Sequence, residues 1–402
     1  MPMPTRGGPL AGIRVLELTK VWAGPYAGKM LAHLGAEVIK IESAANLDEM
    51  RAYGGVDINS APYFLSINQE ILSVQVNMKT DEGLDLVRRM VAKSDIFIDN
   101  IRPGALERSQ LGYDQLRKIK PDIIQCSIKM WGNDGPLGYQ TGYAPCFAAL
   151  SGLTNLVGYE GETPEGMNIR YGDATVGALA ALACIAALHH RETTGEGQFI
   201  DHSAVESMTS LVGDSLFAYS LTGELPHSDG NFHPEICPHG SYPCADQEWI
   251  SVACAEEAEW QALCRALGAE GLAAEPRFAG LPQRLAHRHA LDAELGALTA
   301  HFAAGPLAEQ LRGAGVPAFR SQSSIDLCSD DFLWARTAFR MVSDHRNGTR
   351  PIIGPSWRME PDMASVERGA PLLGEHNDYV YREILGLDQA RLDDLIARKV
   401  VD

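Results

Sequence analysis

Asp173 is the side chain in this sequence best placed to act as a nucleophile. It stands in Arg170-Tyr-Gly-Asp-Ala-Thr-Val-Gly177, directly ahead of an Ala-rich apolar stretch, Ala174–His190, of helical length. A carboxylate at a helix start meets the free N–H groups of the first turn and the positive end of the helix dipole, which keep it ionised and oriented. Such a group can attack an acyl carbon and carry a covalent intermediate. The same position is that of an ordinary N-cap, and the two roles are compatible.

Other constellations fall short of a known chemistry. In Gly24–Met30 (GPYAGKM) the glycines are too close for a phosphate loop, and Met30 follows Lys29 where a Ser or Thr is required. The segment is not a G-x-G-x-x-G dinucleotide fingerprint either, although Glu42 stands where a ribose-binding acid would. What it offers is a helix N-terminus after a strand, a usable anion site. His233, Cys237, His239 and Cys244 lie close together, but their H-x3-C-x-H-x4-C spacing fits no usual structural zinc site, and no metal is expected. No G-x-S-x-G elbow occurs, and no cysteine sits in a nucleophile's context.

The elements that must position these groups read as alternating strands and helices. Ile13–Leu18 is a strand, Tyr26–Leu34 a helix and Glu37–Glu42 a second strand. The alternation recurs through the helix Asp81–Lys93, the strand Asp95–Asp99, the helix Tyr113–Lys118 and the strands Ile123–Ile128 and Gln198–Asp201. This pattern predicts right-handed crossovers and a mostly parallel, Rossmann-like sheet. Gly, Pro, His and Asn then crowd residues 223–243, before a strand at Trp249–Ala253 and amphipathic helices at Glu256–Leu267 and Ala290–Ala303. We expect a large α/β domain over 1–225, a smaller α+β domain over 226–325, and a tail, 326–402, that returns to the large domain through a helix at Asp378–Leu385.

Composition bounds the partners. The net charge of −18, from 34 basic against 52 acidic residues, opposes nucleic acid and anionic lipid at long range, so any anionic ligand needs a local cationic cluster. The eight cysteines are scattered, with no CxxC pair, and read as reduced, mostly buried thiols. The N-terminus lacks the apolar core of a signal peptide, and no unbroken apolar run of membrane-spanning length is apparent, so a cytoplasmic protein is expected.

Six separated blocks resemble the family III CoA-transferases, the group of the formyl-CoA:oxalate, carnitine and benzylsuccinate enzymes. They are Pro9–Glu42, Asp99–Leu116, Tyr171–Leu182, His190–Glu206, Pro238–Cys254 and Leu372–Asn377. The resemblance implies a Rossmann-like large domain, a small α+β domain and two chains interlocked as rings. It places the family's aspartate nucleophile on Asp173. Val21, Trp22 and Ala23 match the acyl and pantetheine end of the site, Asn100, Ile101 and Arg108 match positions that hold CoA, and Tyr143 matches an active-site aromatic. Arg102 joins the expected CoA-binding set, and Trp22, Trp131 and Tyr143 are expected to wall a roomy acyl pocket.

The implied reaction moves CoA from an acyl-CoA to a carboxylic acid through an acyl-aspartyl anhydride and an aspartyl-CoA thioester, with no tightly bound cofactor. Backbone N–H groups at Gly172 and Asp173 would stabilise the oxyanions. KVWAGPY and the NMKT segment resemble the aromatic-succinate type most, which implies a substituted dicarboxylic acid such as benzylsuccinate. Two places depart from the family: Ser43 and Asn68-Gln69-Glu70-Ile71 stand where many relatives carry basic residues that can meet CoA phosphates. Phosphate binding would then rest on Arg102, Arg108, Lys129 or another chain, in a homodimer or a hetero-oligomer with a related chain. Two alternatives stay open. In the related α-methylacyl-CoA racemases a His serves as one base, but Thr141-Gly142-Tyr143-Ala144 has Tyr there, a poor base at neutral pH. The other is a non-catalytic CoA-binding subunit.

Overall fold

Val15 and Leu16 point to opposite faces of the first strand, and both are fully buried. Strands covered on both faces favour short runs rich in Val and Ile, and the polar side chains that do stand in them, such as Lys40, Ser73 and Gln125, are buried as well. The computed structural model describes residues 6–166, 171–344 and 348–402; Arg170 lies outside them. In chain order its first unit contains β1 (Arg14–Leu18), α1 (Ala23–His33), β2 (Glu37–Glu42), α2 (Pro62–Ile67), β3 (Leu72–Gln75), α3 (Asp81–Val91) and β4 (Ile96–Asp99). It continues with α4 (Ala105–Arg108), α5 (Tyr113–Ile119), β5 (Ile124–Lys129), α6 (Ala144–Leu150), α7 (Tyr171–Thr194), β6 (Phe199–Ser203), α8 (Ala204–Thr209) and α9 (Gly213–Thr222).

The six strands form one sheet in the order β3-β2-β1-β4-β5-β6, and every pairing is parallel. The Rossmann-like expectation therefore holds. Because the chain runs outward from β1 through β2 to β3 and then returns to β4 on the other side, the connections after β1 and β4 diverge. They leave a crevice at the carboxyl ends of the strands, where open α/β sheets bind ligands.

One face of the sheet is covered by α1 and α7, with Ala27, Leu31, Val176, Ala180 and Cys184 packed over Val15, Val38, Ile98 and Cys126. The other face is covered by α3, α5 and the C-terminal residues Val380, Tyr381, Leu392 and Leu395. The helix α7 has 24 residues and is long and apolar enough to cross a membrane by length and composition, contrary to the expectation that no such stretch exists. Its Val176, Gly177, Ala180, Ala181, Cys184, Ala187 and Leu188 are buried, and its Ala- and Gly-rich face lies close against α1. It also starts at Tyr171 rather than Ala174, which puts Asp173 inside the first turn.

The C-terminal segment runs along the free edge of β3 in this unit. Gln75 N–H donates to Asn377 Oδ1 at 2.8 Å, and Gly374 N–H donates to Ser73 Oγ at 2.9 Å. The expected helix at Asp378–Leu385 is a single π-helical turn, Tyr379–Ile384. The second unit comprises residues 156–164 and 227–332, so the short loop before α7 groups with it although it lies far upstream in sequence. An antiparallel sheet of β7 (His239–Pro243), β8 (Trp249–Ala253) and β9 (Ala318–Arg320) packs there with helices around Trp260, Phe278 and Leu291. Cys237 and Cys244 are buried in that core; among all eight cysteines only Cys146 and Cys328 are exposed.

Candidate active site

The crevice after β1, β4 and β5 holds a cavity of about 840 Å³. Val21, Trp22, Ala23, Asn100, Ile101, Arg102, Arg108, Tyr143 and Asp173, nine of the ten residues singled out from the sequence, line it. They come from four separate stretches of chain, and the parallel topology brings them to one edge of the sheet.

Asp173 projects from the first turn of α7, with the backbone N–H of Ala23, the first residue of α1, near enough to favour its charged form. It lies within α7, which already includes Tyr171 and Gly172, and so is not the residue that caps the helix; the N-cap reading is corrected. Burial raises its pKa to about 6, with the Ala23 N–H pulling the other way. At neutral pH it is still ionised, and its partial desolvation leaves it more basic than a surface aspartate. Close approach of the two helices depends on Gly177, where a Cβ would lie 2.6 Å from the Ala23 carbonyl oxygen.

Asn100, just past β4, fixes the other side of the same loop. Its Oδ1 accepts from the Lys20 N–H at 2.8 Å and its Nδ2 donates to the Lys20 carbonyl at 2.7 Å. Gly24 allows this clamp, because a Cβ there would meet Asn100 Cγ at 2.9 Å. An expected CoA contact thus has a structural task in this chain: it ties the end of β1 to the end of β4.

The cationic groups differ in how far they are committed. Lys129 lines the cavity, but its ammonium pairs with buried Asp99. Lys20 Nζ is held by two neutral oxygens, Asn46 Oδ1 at 2.7 Å and the Leu47 carbonyl at 2.8 Å. Arg102 and Arg108 are exposed and make no ion pair with the described residues. The two departures from the family pattern lie outside the cavity. Ser43 caps the turn that follows it through Ala45 N–H, and buried Glu70 accepts the Glu367 and Arg368 backbone N–H groups at 2.5 and 2.7 Å. Glu42 is unavailable to any ribose, since it forms a buried ion pair with Arg51 at 2.6 Å.

Of the three expected aromatic walls, Trp22 and Tyr143 line the cavity and Trp131 does not. The indole of Trp131 donates from Nε1 to Gln140 Oε1 at 3.3 Å and packs on the core beneath α7, which takes it out of the pocket. Trp22 meets the edge of Tyr63 at 6.0 Å between ring centroids. Phe147 and Cys146 on α6, Met130 and Gln140 complete the wall, and nothing in their spacing marked them beforehand. No histidine lines the cavity among the described residues.

Comparison with known proteins agrees with this geometry. Residues 10–377 match CoA-transferase family III. Succinyl-CoA–D-citramalate CoA-transferase of Chloroflexus aurantiacus is 32% identical over 98% of both chains. The beta subunit of the succinyl-CoA–L-malate CoA-transferase of that organism is 29% identical, again over 98% of both. A CAIB/BAIF family protein from Brucella suis superposes with a TM-score of 0.88 at 31% identity, covering 94% of this chain and all of that one. A parallel sheet in Rossmann order, a carboxylate at the crevice and a match across nearly the whole sequence place this chain in CoA-transferase family III.

Proposed function

We propose that this enzyme moves CoA from succinyl-CoA to a small dicarboxylic acid through covalent intermediates on Asp173. One observation carries the reading: a partly desolvated carboxylate, with the Ala23 N–H beside it, lines a cavity that Arg102 and Arg108, without an ion pair among the described residues, line as well. The donor and acceptor class rests on the two C. aurantiacus relatives, one named for D-citramalate and one for L-malate, both with succinyl-CoA.

In the first step the Asp173 carboxylate attacks the thioester carbonyl carbon, the C–S bond breaks, and CoA leaves as thiolate with an acyl-aspartyl anhydride behind it. The thiolate then attacks the aspartyl carbonyl, releasing the donor acid and forming an aspartyl-CoA thioester. The acceptor carboxylate attacks that thioester, and the expelled thiolate attacks the acceptor's own acyl carbon, which restores Asp173. No net proton transfer is needed. The free N–H groups in the first turn of α7 supply donors for the oxyanions. Arg102 and Arg108 meet the CoA phosphates, and Lys20, whose partners among the described residues are neutral oxygens, is available to an anionic group of either substrate.

The wall of Trp22, Tyr143 and Phe147 favours a second reading within this class, an aryl-substituted succinate such as benzylsuccinate, over very small acids such as oxalate. Racemase chemistry is disfavoured, because Tyr143 stands where a histidine base is required. We also propose that the chain works as an interlocked dimer with itself or a related chain. In support, Leu216, Phe217 and Leu221 on α9 and Leu182 on α7 are 56%, 73%, 83% and 60% exposed, more apolar surface than a solitary helix pair keeps in water. Light scattering tests this; a stable monomer at micromolar concentration contradicts it.

The test of function is exchange by the purified protein between succinyl-CoA and a panel of D-citramalate, L-malate, benzylsuccinate and oxalate, followed by mass spectrometry of the CoA products. Transfer to at least one of the larger dicarboxylates, with oxalate poorest, is the expected result. Activity with none of them overturns the reading, as does a CoA-binding preparation without exchange.

A further inference from the structure

Val21, between β1 and α1, has a φ of 64°. A β-branched residue in the left-handed region is a backbone outlier that persists only where its surroundings impose it. Asp48 imposes it here: its Oδ1 accepts the Val21 N–H at 2.9 Å and the Met50 N–H at 3.0 Å. The other carboxylate oxygen lies 3.1 Å from Lys40 Nζ, and both side chains are at most 1% exposed. Lys40 in turn donates to the Thr19 carbonyl at 2.8 Å, two residues before Val21. Neither neighbouring acid can replace Asp48 on this loop. Glu42 is taken by Arg51 at 2.6 Å, and Glu17 lies on the far side of Lys40 at 3.7 Å.

The residues that follow Val21 are those that meet the reacting group. Trp22 and Ala23 line the cavity with Asp173, and Ala23 packs directly on the first turns of α7, where a Cβ on Gly177 would lie 2.6 Å from its carbonyl oxygen. We propose that Asp48, itself fixed by Lys40, is a positioning residue that holds Val21 in its left-handed conformation and so aims the Ala23 N–H at Asp173. Asp48 does not line the cavity and touches no substrate. The inference rests on the reading of Asp173 as nucleophile. A pair that merely stabilised the sheet would leave the turnover of folded protein unchanged when removed.

The experiment follows formation of the acyl-aspartyl label in a single turnover with succinyl-CoA, in protein shown to be folded by circular dichroism. Asp48→Ala is expected to slow labelling by about 10–100-fold, with KM for succinyl-CoA within about threefold of wild type, because a small misplacement of the reacting group acts on rate rather than on binding. Adding Val21→Gly to Asp48→Ala is expected to recover about tenfold, since glycine reaches positive φ without a partner to hold it. Where Asp48→Ala does not fold, Lys40→Met with Asp48→Leu removes both charges together and leaves no buried ion unpaired, with the same loss and the same recovery expected. Labelling at the wild-type rate in a folded Asp48 variant, or no recovery with Val21→Gly, overturns the proposal while the nucleophile stands. Exchange by wild-type protein without a label on Asp173 overturns both.

Discussion

Two regions of the cavity lining are built on opposite principles. Beside Asp173, the loop between β1 and α1 is held at several points: Val21 by Asp48, Asp48 by Lys40, and Lys20 on both its backbone groups by Asn100. Elsewhere in the lining Arg102 and Arg108 are exposed, Arg108 on the short helix α4 and Arg102 in the loop before it, and neither makes an ion pair with the described residues. On the proposed reading covalent chemistry demands placement to a fraction of an ångström, which the hydrogen-bonded loop beside the carboxylate suits. On the same reading a phosphate tail needs only charge within reach, which exposed cations supply without a fixed geometry.

Substitutions in the two regions should therefore fail in different ways. Asp173→Asn carries the largest effect: exchange falls by several orders of magnitude, while thermal unfolding shows a folded protein, because the amide oxygen can still lie beside the Ala23 N–H. In the exposed region, Arg102→Ala with Arg108→Ala should raise KM for acyl-CoA by about tenfold and leave kcat within about threefold, and the difference from wild type should shrink as salt is added. A fall in kcat with unchanged KM would show that this region, too, places the reacting atoms. Trp22→Ala should change the order in which acceptor acids are used, by a few-fold between small and bulky acids; an unchanged order removes Trp22 from the pocket wall and leaves it as packing against Tyr63.

The smallest effect is on stability, and it depends on pH. The folded-state pKa of Asp173, about 6, lies above the ordinary 3.8, so ionising it disfavours the folded state. Its favourable contribution is fully present below about pH 4, is lost as pH rises through about 6, and is absent above that. Asp173→Asn should accordingly be more stable than wild type at pH 7, by about 1–2 kcal/mol after allowance for partial solvent contact, and equal to it near pH 4. Denaturant titrations at the two pH values measure this. A variant less stable than wild type at pH 7 would mean that the carboxylate supports the fold rather than burdening it.

Much of the sheet was legible because its strands are local runs: Glu37–Glu42 and Trp249–Ala253 coincide with β2 and β8 to the residue. Asp173, Arg102 and Arg108 were likewise readable, as charged residues at strand or helix ends within recognisable blocks. The framework around Asp173 was not, since Asp48 meets Val21 across 27 positions and Asn100 meets Lys20 across 80. One signal was present: the lysine of EVIKIE, flanked by isoleucines in a central strand, can exist there only with a buried partner. Trp131 misled because sequence proximity to Tyr143 says nothing about which side of α7 its ring faces. The start of α7 was misplaced because Tyr-Gly-Asp reads as a cap, whereas Tyr171 and Gly172 are already helical, with Gly172 so close to Phe147 that a Cβ would come within 2.8 Å.

The account turns on a covalent bond to one side chain, and that bond can be caught. Wild-type protein incubated with succinyl-CoA, trapped with borohydride or hydroxylamine and digested, should yield one modified peptide with the change on Asp173, absent from Asp173→Asn. A label on another residue, or an actively exchanging preparation with no label at all, would contradict the assignment of Asp173 as the nucleophile.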